Sequence, residues 1–372
     1  MLRTARSSAA PGLYVPGASI DLGAFDQDMR LSHGLVFTQV EVDLQLSVAG
    51  QFRFTIPHAF DAERGDFFTP FGKPLMPLLK LGTRVWIRMG YGDRAQQTPL
   101  FAGFITALGT GFAEGGAPEV EVSGTDATYL MTLGTKEHRF ESKSVRDAVA
   151  LVAQQNGFSL KFSGTPPSNV TLDSNLQTDL EFLGKLAQNF STPQQKWEFF
   201  ARPRKSGDEL HFRPRSEIEP PLATLKWGVD LLSFKPEINL GNQVSKVEVH
   251  GWDELKKEKI LGVATADGQG GKPGGDIQRA AFGRETVLEL RLPVKSKEEA
   301  DQRAAAALAK RTNDLVKGDG ETLGFPELLP DTSVALVGLG EQFSKTYYVT
   351  KTVHRYDSGG YRTRFSIERP AA

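Results

Sequence analysis

Residues 264–276 (ATADGQGGKPGGD) have the composition of a phosphate-binding loop, with glycines clustered around Lys272. Such a loop requires Gly, four residues, Gly-Lys and then Ser or Thr, because backbone N–H groups must surround the phosphates and a hydroxyl must bind the metal. Gly271 and Lys272 match, but Ala266 occupies the first glycine position and Pro273 the hydroxyl position. We therefore interpret the segment as a solvated glycine-rich loop rather than a nucleotide site.

The other residues that could act in catalysis or bind a metal lack the spacing that these sites require. The six histidines lack the HxxH or HExxH spacing of a zinc site. The chain has no cysteine, which excludes disulfides, thiolate metal sites and cysteine nucleophiles. No GxSxG motif marks a serine nucleophile. We expect neither an enzyme nor a bound cofactor or metal.

The length and overall composition argue against several classes of protein. With 372 residues the chain can form two or three domains with real cores. Lysine and arginine total 44 against 45 acidic residues, a balance that argues against nucleic-acid binding through bulk charge. No apolar run approaches the length of a membrane span, and no apolar segment follows the basic start. We expect a soluble protein made in the cytoplasm.

Hydrophobic periodicity predicts β-structure at both ends of the chain. Apolar residues alternate with polar ones over 40–48, in RVWIRM and in EVEV, the pattern of half-buried strands. The same pattern returns after about residue 220 in VSKVEVHGW, TYYVTKTVHRY and YRTRFSIE. Several short strands separated by turn signals are typical of a barrel or sandwich.

Helix signals are concentrated in between and in one later segment. Ser144 with Asp147, and Thr178 with Glu181, have the spacing of helix-capping residues. Ser296 with Glu299 begins an alanine-rich run with a narrow face of small residues. The predicted fold is mainly β (α+β), with a first β-barrel domain at 1–134, an α/β insert at 135–218 and a second β-barrel domain at 219–372. The last contains the glycine-rich loop (264–276) and a long helix (297–316).

Spacing indicates that the two barrel domains are related. MGYGD at 89–93 is similar to VGLGE at 337–341. Downstream, Ile105-Thr106 and Val349-Thr350 are each followed at the same distance by a glycine pair. Pro118 then shifts the outgoing strands one residue out of phase. Because these matches occur in the same order, they favour duplication of a barrel.

The chain resembles the late control protein D family. The resemblance rests on the segments SVRDAVALVAQQNGF, TDLEFLGKLAQ, LPVKSKEEADQRAAAAL, KGDGETLGFPELLPDTSVALVGLG and YYVTKTVHRYDSGGYRTRFSIE. Members are baseplate hub proteins of contractile phage tails and phage-tail-like injection systems, similar to the N-terminal part of type VI valine-glycine repeat spike proteins. The resemblance covers about residues 20–368.

The resemblance implies a non-enzymatic structural role. It implies a homotrimer whose two barrels per chain form a pseudo-six-fold ring between a hexameric inner tube protein and a trimeric spike. Baseplate wedge proteins would surround this ring in a phage tail or a phage-tail-like particle. Because the sequence stops at Ala372 without a β-helix, we expect the spike to be a separate protein.

Two segments are candidates for contacts between proteins. Phe67, Phe68 and Phe71 lie in a Gly- and Pro-rich stretch, where they either close the first barrel or contact another subunit. Lys272 and Asp276 are candidate contacts to the outer baseplate. The alternative function is a polysaccharide-binding module or cell-wall hydrolase component carried on the insert, although the apolar spacing of its phenylalanines leaves no exposed aromatic platform.

Overall fold

The structure is a computed structural model that describes residues 15–112, 114–140, 144–166, 173–215, 220–254, 256–266, 273–312 and 315–370. Most elements are β-strands, and most strand pairs are antiparallel. The predicted mainly β fold class is confirmed.

The first half of the molecule comprises the strands before residue 127 and one short helix. They are β1 (Pro16–Leu22), α1 (Met29–His33), β2 (Gln39–Gln45), β3 (Gln51–Ile56), β4 (Phe60–Asp61), β5 (Asp66–Phe67), β6 (Arg84–Tyr91), β7 (Thr98–Gly111) and β8 (Glu119–Asp126). Six of these strands lie in one sheet in the order β1-β6-β7-β8-β3-β2, and β4 and β5 form a separate pair. The end strands contribute Ile20 and Val42 to the same buried core, so this part of the sheet curls around it.

The insert follows and has a core of its own. Its elements are β9 (Lys136–Arg139), α2 (Val145–Gln155), β10 (Ser159–Phe162), β11 (Asp173–Gln177), α3 (Asp179–Phe190), β12 (Trp197–Arg202) and β13 (Glu209–Pro214). Ser144 caps α2, and Thr178 with Glu181 forms the reciprocal capping box of α3. Both helices bury their apolar faces against the sheet β10-β13-β12. The buried residues of the helices and the strands form one aromatic-rich cluster.

The remaining elements form the second half and a three-stranded module. They are β14 (Ala223–Lys226), β15 (Leu231–Ile238), β16 (Lys246–Asp253), β17 (Glu258–Thr265), α4 (Gly274–Phe282), β18 (Val287–Arg291), α5 (Lys297–Thr312), β19 (Val316–Leu323), β20 (Ser333–Val337), α6 (Gly340–Phe343), β21 (Thr346–Asp357) and β22 (Gly360–Arg369). Strands β16–β18 form a separate sheet covered on one face by α5. The other strands surround a third core.

The two halves share one twelve-stranded sheet. Strand β2 of the first half pairs with β21 of the second, from Val40 opposite Tyr356 to Gln45 opposite Lys351. Tyr361 of β22 packs into the first core, and the Tyr91 hydroxyl donates a hydrogen bond to the Gly324 carbonyl (2.9 Å). Backbone pairing and side-chain packing thus connect the halves.

The strands of the two halves have the same order along the chain and across the sheet. In the second half the order is β14-β20-β21-β22-β19-β15, which matches β1-β6-β7-β8-β3-β2 strand for strand. Every matched pair is antiparallel in both halves except the first, which is antiparallel for β1–β6 and parallel for β14–β20. This shared topology agrees with the duplication predicted from sequence spacing.

A β-bulge marks the same position in both halves. The register between β7 and β8 shifts around Thr106, and the register between β21 and β22 shifts around Thr350. These two threonines are the ones that the sequence comparison aligned. A bulge adds one residue to one strand and increases the local twist, so its repetition at matched positions bends both halves of the shared sheet in the same way.

Two predicted boundaries differ from the structure. The glycine-rich loop 264–276 is shorter at both ends, because β17 continues to Thr265 and α4 already begins at Gly274. The long helix predicted over 297–316 ends at Thr312, and Val316 begins β19. The predicted domain limits at 134 and 218 remain predictions.

Candidate functional site

The outer face of the sheet has a polar hollow at each bulge. The hollow at Thr106, of about 350 Å³, is lined by β2, β3, β7 and β8 and includes Arg53 and Ser123. The hollow at Thr350, of about 460 Å³, is lined by the matched residues of β19, β21 and β22 and by four residues of the insert. The two hollows are therefore structurally equivalent, but only the second has the insert in its wall.

Buried charges connect the insert to the second hollow. Glu368 of β22 accepts hydrogen bonds from Lys196 (2.7 Å between Nζ and Oε1) and from Arg215. The Tyr348 hydroxyl of β21 donates to Glu198 of β12. The Arg215 guanidinium stacks on Tyr348, 4.0 Å from the ring centroid, and its Nε is 3.7 Å from Glu198 Oε2. We call these five side chains the insert network.

The insert network shifts the pKa of its groups in opposite directions. Burial raises the pKa of Glu368, but attraction to Arg215 and Lys196 outweighs this and lowers it below its ordinary value. Burial raises the pKa of Glu198, and attraction to Arg215 offsets this only in part. Burial also raises the pKa of Tyr348, which keeps its hydroxyl protonated. Glu368 is thus the fixed anion of the network, and Tyr348 is its neutral donor.

Further ion pairs join the insert to its surroundings. Asp331, in the loop before β20, pairs with Arg213 (2.8 Å) and Arg202 of the insert sheet. Arg84 of β6 pairs with Asp208 (2.6 Å). These contacts reach both halves, so the insert is fixed against the sheet rather than joined to it by linkers alone.

A further contact reaches the module. On its helix α5, Arg303 donates to Asn189 at the end of α3 (2.9 Å). The insert therefore also contacts the three-stranded module.

His354 is a packing residue in the middle of the shared sheet. It is fully buried, and its ring nitrogens lie 2.7 Å from the Tyr361 hydroxyl and 3.1 Å from the Leu328 carbonyl oxygen. Burial lowers the pKa of His354 to about 3, so the ring is neutral in the folded protein. Both ring nitrogens have hydrogen-bonding partners, as expected of a polar side chain that packs in a core.

The three candidate aromatics have different environments. Phe67 is buried under the first core, with its ring 5.1 Å from Phe60 and 6.1 Å from Phe112. Phe68 is half-buried, and the Arg64 guanidinium lies 4.8 Å from its ring centroid. Phe71 is 61% exposed and lies against Gly34 and Pro70. Phe67 therefore closes the core, and Phe71 remains available for a contact with another protein.

The second candidate pair is only partly described. Lys272 lies outside the described residues. Asp276 is exposed in the first turn of α4, 3.9 Å from Arg279. The first two residues of the helix, Gly274 and Gly275, pack closely on other elements. A Cβ at either position would lie within 2.7 Å of Gln243 or Ser245. The start of α4 is therefore packed, which differs from the free loop predicted through 276.

Within the described ranges, no group of histidine, aspartate and glutamate side chains could bind a metal ion. None of the described helices combines the length and apolar composition that a membrane crossing needs.

The sequence model of the family described as the Alg8 N-terminal domain matches residues 59–358. The chain belongs to this family. No curated protein matches the chain. The family description states no activity, and the resemblance to late control protein D remains a prediction beside it.

Solved structures of tail proteins have the same fold. A 43 kDa tail protein of prophage MuSo2 from Shewanella oneidensis superposes with a TM-score of 0.70 at 15% identity, covering 95% of this chain and 99% of its own. A tail protein from Neisseria meningitidis gives 0.68 at 14% identity, covering 96% and 97%. A component of the E. coli type VI secretion system gives 0.56 at 11% identity, covering 95% and 77%. At these identities the likeness establishes the fold.

The insert network could not be found from the sequence. Its members lie at residues 196, 198, 215, 348 and 368, and each by itself is an ordinary charged or aromatic residue in or next to a strand. Glu368 gives no signal in the sequence, because it falls on the polar phase of the β22 alternation together with Arg364 and Ser366. The two bulges were not predicted either, although they lie at the threonines that the sequence comparison aligned.

Proposed function

We propose that this protein is the baseplate hub of a contractile injection system or phage tail. In this role three chains form a ring that joins a hexameric inner tube to a three-fold spike. The hub is a structural component without catalytic activity. Its site of action is a phage tail or phage-tail-like particle assembled in a bacterial cell.

The observation that carries the proposal is the repeated strand order of the two halves. A six-fold tube requires six similar docking surfaces, and a three-fold spike requires three identical ones. A chain with two halves of the same topology and the same bulge satisfies both conditions when it trimerises. Closed rings are also the usual arrangement of soluble homo-oligomers.

Two further features support a load-bearing role. The halves share one continuous sheet through β2 and β21, so their relative position is fixed by backbone hydrogen bonds. The insert is joined to both halves by buried ion pairs. The tail-protein fold also extends over nearly the whole chain.

The proposal also assigns contact residues. Phe71 lies at a contact between subunits, since it is a large apolar side chain that is mostly exposed. Asp276 and Lys272 face the wedge proteins of the surrounding baseplate. Their contribution is that of rim charges, which affect the rate and specificity of assembly more than its affinity.

The test is reconstitution with the tube and spike proteins encoded by the same genome. We expect light scattering to give a trimer, and electron microscopy to show six equivalent tube contacts above three equivalent spike contacts. A well-folded dimer or hexamer at micromolar concentration would contradict the proposal. So would a trimer that binds neither component.

A further inference from the structure

The two halves meet through a strand contact whose counterpart is unused within the chain. Strand β2, the last strand across the first half, pairs with the C-terminal part of β21. By the shared strand order β2 matches β15, and β21 matches β7. Among the described residues β15 and β7 do not pair with each other, so each keeps a free edge.

The free edge of β7 lies at residues 108–112. Aligning the threonines of the two bulges matches this segment with residues 352–356, which pair with β2. In the second half His354 is fully buried, whereas every residue of the β7 segment is exposed. Phe112 is 65% exposed. The first half thus leaves open the surface that β2 covers in the second half.

The free edge of β15 lies at residues 234–238. The strand pairs on either side of β19 match this segment with residues 40–44 of β2. Phe234 and Ile238 pack on the third core but remain partly exposed, whereas the matched residues of β2 are buried. β15 is therefore incompletely covered at the edge where β2 is covered by β21.

The backbone of β15 directs free groups toward this edge. The Asn239 N–H donates to the Leu315 carbonyl oxygen (3.0 Å), so the odd-numbered residues of β15 face β19. Phe234, Pro236 and Ile238 therefore face outward, and Pro236 contributes only its carbonyl group.

The backbone of β7 is oriented in the same way. The Asp126 N–H donates to the Gly50 carbonyl oxygen (2.9 Å), which leaves the odd-numbered residues of β8 facing β7. Gly109 lies opposite Glu121 and therefore faces β8. The even-numbered residues between 108 and 112 consequently face outward.

The register of the β2–β21 contact brings apolar residues together when it is transferred to these edges. Phe234 then lies opposite Phe112, and Ile238 lies opposite Leu108. The charged residues of the β15 segment lie opposite the two glycines of the β7 segment, so no like charges meet. Every backbone hydrogen bond of the β2–β21 contact has a counterpart, except the one that needs an N–H on Pro236.

A contact between unlike edges covers both of them, which pairing of like edges does not. Two copies of β15 paired about Pro236 would lose both central hydrogen bonds, because neither proline has an N–H. Two copies of β7 paired about Thr110 would leave β15 uncovered in each chain. In a closed ring of unlike contacts every chain covers both edges.

The other free edges of the described sheets have no model within the chain. β1 and β14 match each other, and both are free. The edges of β10, β12, β17 and β18, and of the pairs β4–β5 and β9–β11, belong to segments that occur once in the chain. The internal contact therefore identifies a partner only for β7 and β15.

We propose that β15 of one copy pairs with residues 108–112 of a second copy in the register of the β2–β21 contact. Three such contacts close a ring in which contacts within and between chains alternate with the same backbone geometry. The inference rests on the proposed trimeric hub and assigns the strands that join its chains.

Cysteine cross-linking tests the register, because the chain has no cysteine of its own. Gly109 and Glu237 would form a non-hydrogen-bonded pair with Cα atoms roughly 4.5 Å apart, which suits a disulfide. A Cβ on Gly109 meets no atom closer than 3.9 Å. We expect the chain with Gly109→Cys and Glu237→Cys to form a covalent trimer on oxidation, and no larger species, in a denaturing gel without reductant.

Two controls check register and edge identity. Gly111→Cys with Glu237→Cys places the cysteines on a diagonal of about 7–8 Å and should cross-link weakly. The single variants Gly109→Cys and Glu237→Cys should each stay uncrosslinked alone. When mixed, they should form a covalent dimer, because unlike edges meet.

Thr110→Pro tests the contribution of the edge to assembly. It removes an outward N–H without removing a bond to β8, and should raise the concentration at which the trimer forms by about tenfold or more in light scattering. Thr110→Val keeps the N–H and should assemble as the unmodified protein does. Urea unfolding checks that both variants stay folded, and the cross-linking result does not depend on them.

Several results would overturn the proposal. A trimer that survives Thr110→Pro and forms no disulfide between positions 109 and 237 would be joined elsewhere, which leaves the hub role intact. Cross-linking of either single-cysteine variant with itself would assign that edge to a two-fold contact. So would an oligomer of the unmodified chain that is a dimer. A covalent trimer that binds neither tube nor spike protein would instead support this contact and contradict the hub role.

Discussion

The hollow at Thr106 and the hollow at Thr350 have the same strands and the same bulge but different surroundings. In the first hollow the charged pair is Arg53 with Glu41, and the arginine side chain is 62% exposed. In the second, Arg215 of the insert and Glu368 of β22 are almost completely buried against each other. The same backbone geometry thus supports a free surface in one half and an internal joint in the other. What differs is whether water reaches the charges.

The halves also differ in where additional segments were accommodated. The first half has the β4–β5 hairpin with Phe67 between β3 and β6, whereas the second has the three-stranded module between β15 and β19. Neither addition interrupts the matched strand pairs. Lengthening a connection between two strands costs little entropy. Segments inserted into the connections after a duplication therefore leave the sheet intact.

The largest expected effect is Arg215→Met, which leaves Glu198 and Glu368 buried without their shared cation. Removing one partner of a buried ion pair costs about 3–5 kcal/mol of unfolding free energy. The comparison change in the first hollow, Arg53→Met, should cost less than about 1 kcal/mol because that pair is exposed. Urea unfolding of the two variants measures the difference. Equal losses would show that the insert does not change the energetics of the second hollow.

A second effect concerns the bulge of the first half. A Cβ on Gly124 would lie 1.9 Å from the Phe104 carbonyl oxygen and 2.6 Å from the Phe52 ring. Gly124→Ala should therefore destabilise the fold by about 1–3 kcal/mol. The control Gly109→Ala, on the partner strand, meets no atom closer than 3.9 Å and should be nearly neutral. In the second half Ile367 occupies the matched position, so a neutral Gly124→Ala would mean that both bulges tolerate side chains equally.

A smaller effect depends on pH. Burial raises the pKa of Asp126, at the end of β8, from 3.8 to about 6, despite hydrogen bonds from Thr128 and Gly50. Because the folded state binds this proton more tightly, the stabilising contribution is complete below about pH 4 and is lost as the pH rises through about 6.

The matched residue of β22 is Arg369. Between pH 7 and pH 5 the unmodified protein should therefore gain about 1 kcal/mol of unfolding free energy relative to Asp126→Asn. Denaturant unfolding of both proteins at the two pH values checks this. Parallel pH profiles would contradict the buried state of Asp126.

Local sequence signals predicted the elements whose stability is local. The capping residues Ser144 and Thr178 begin α2 and α3 as expected, and strand alternation located β2, β6 and β8. Prediction failed where distant contacts decide. The alternation over 40–48 overran β2, because Ser47 has a positive φ and its N–H donates to Phe199 of the insert. The start of α4 was missed because its two glycines are required by Gln243 and Ser245, not by helix propensity.

In the candidate site, too, the sequence predicted local features and missed those that depend on distant contacts. The aligned threonines predicted a duplication, and the structure places a bulge at each of them. The insert network was not predictable, because it combines charges from strands that are distant in sequence. Phe67 and Phe71 were found together by composition, but only packing distinguishes their environments.

The smallest expected effect on stability is Phe71→Ala. Its ring is exposed in the segment that the second half lacks, so the isolated fold should change by less than about 0.5 kcal/mol. Phe67→Ala is the matched control, and removal of that buried ring should cost about 3–5 kcal/mol. If Phe71 lies at a subunit contact, its variant should unfold normally in urea yet dissociate at higher protein concentration in light scattering. A variant that unfolds normally and assembles normally would remove Phe71 from the contact. The segment that the second half lacks would then serve only to close the first core, through Phe67.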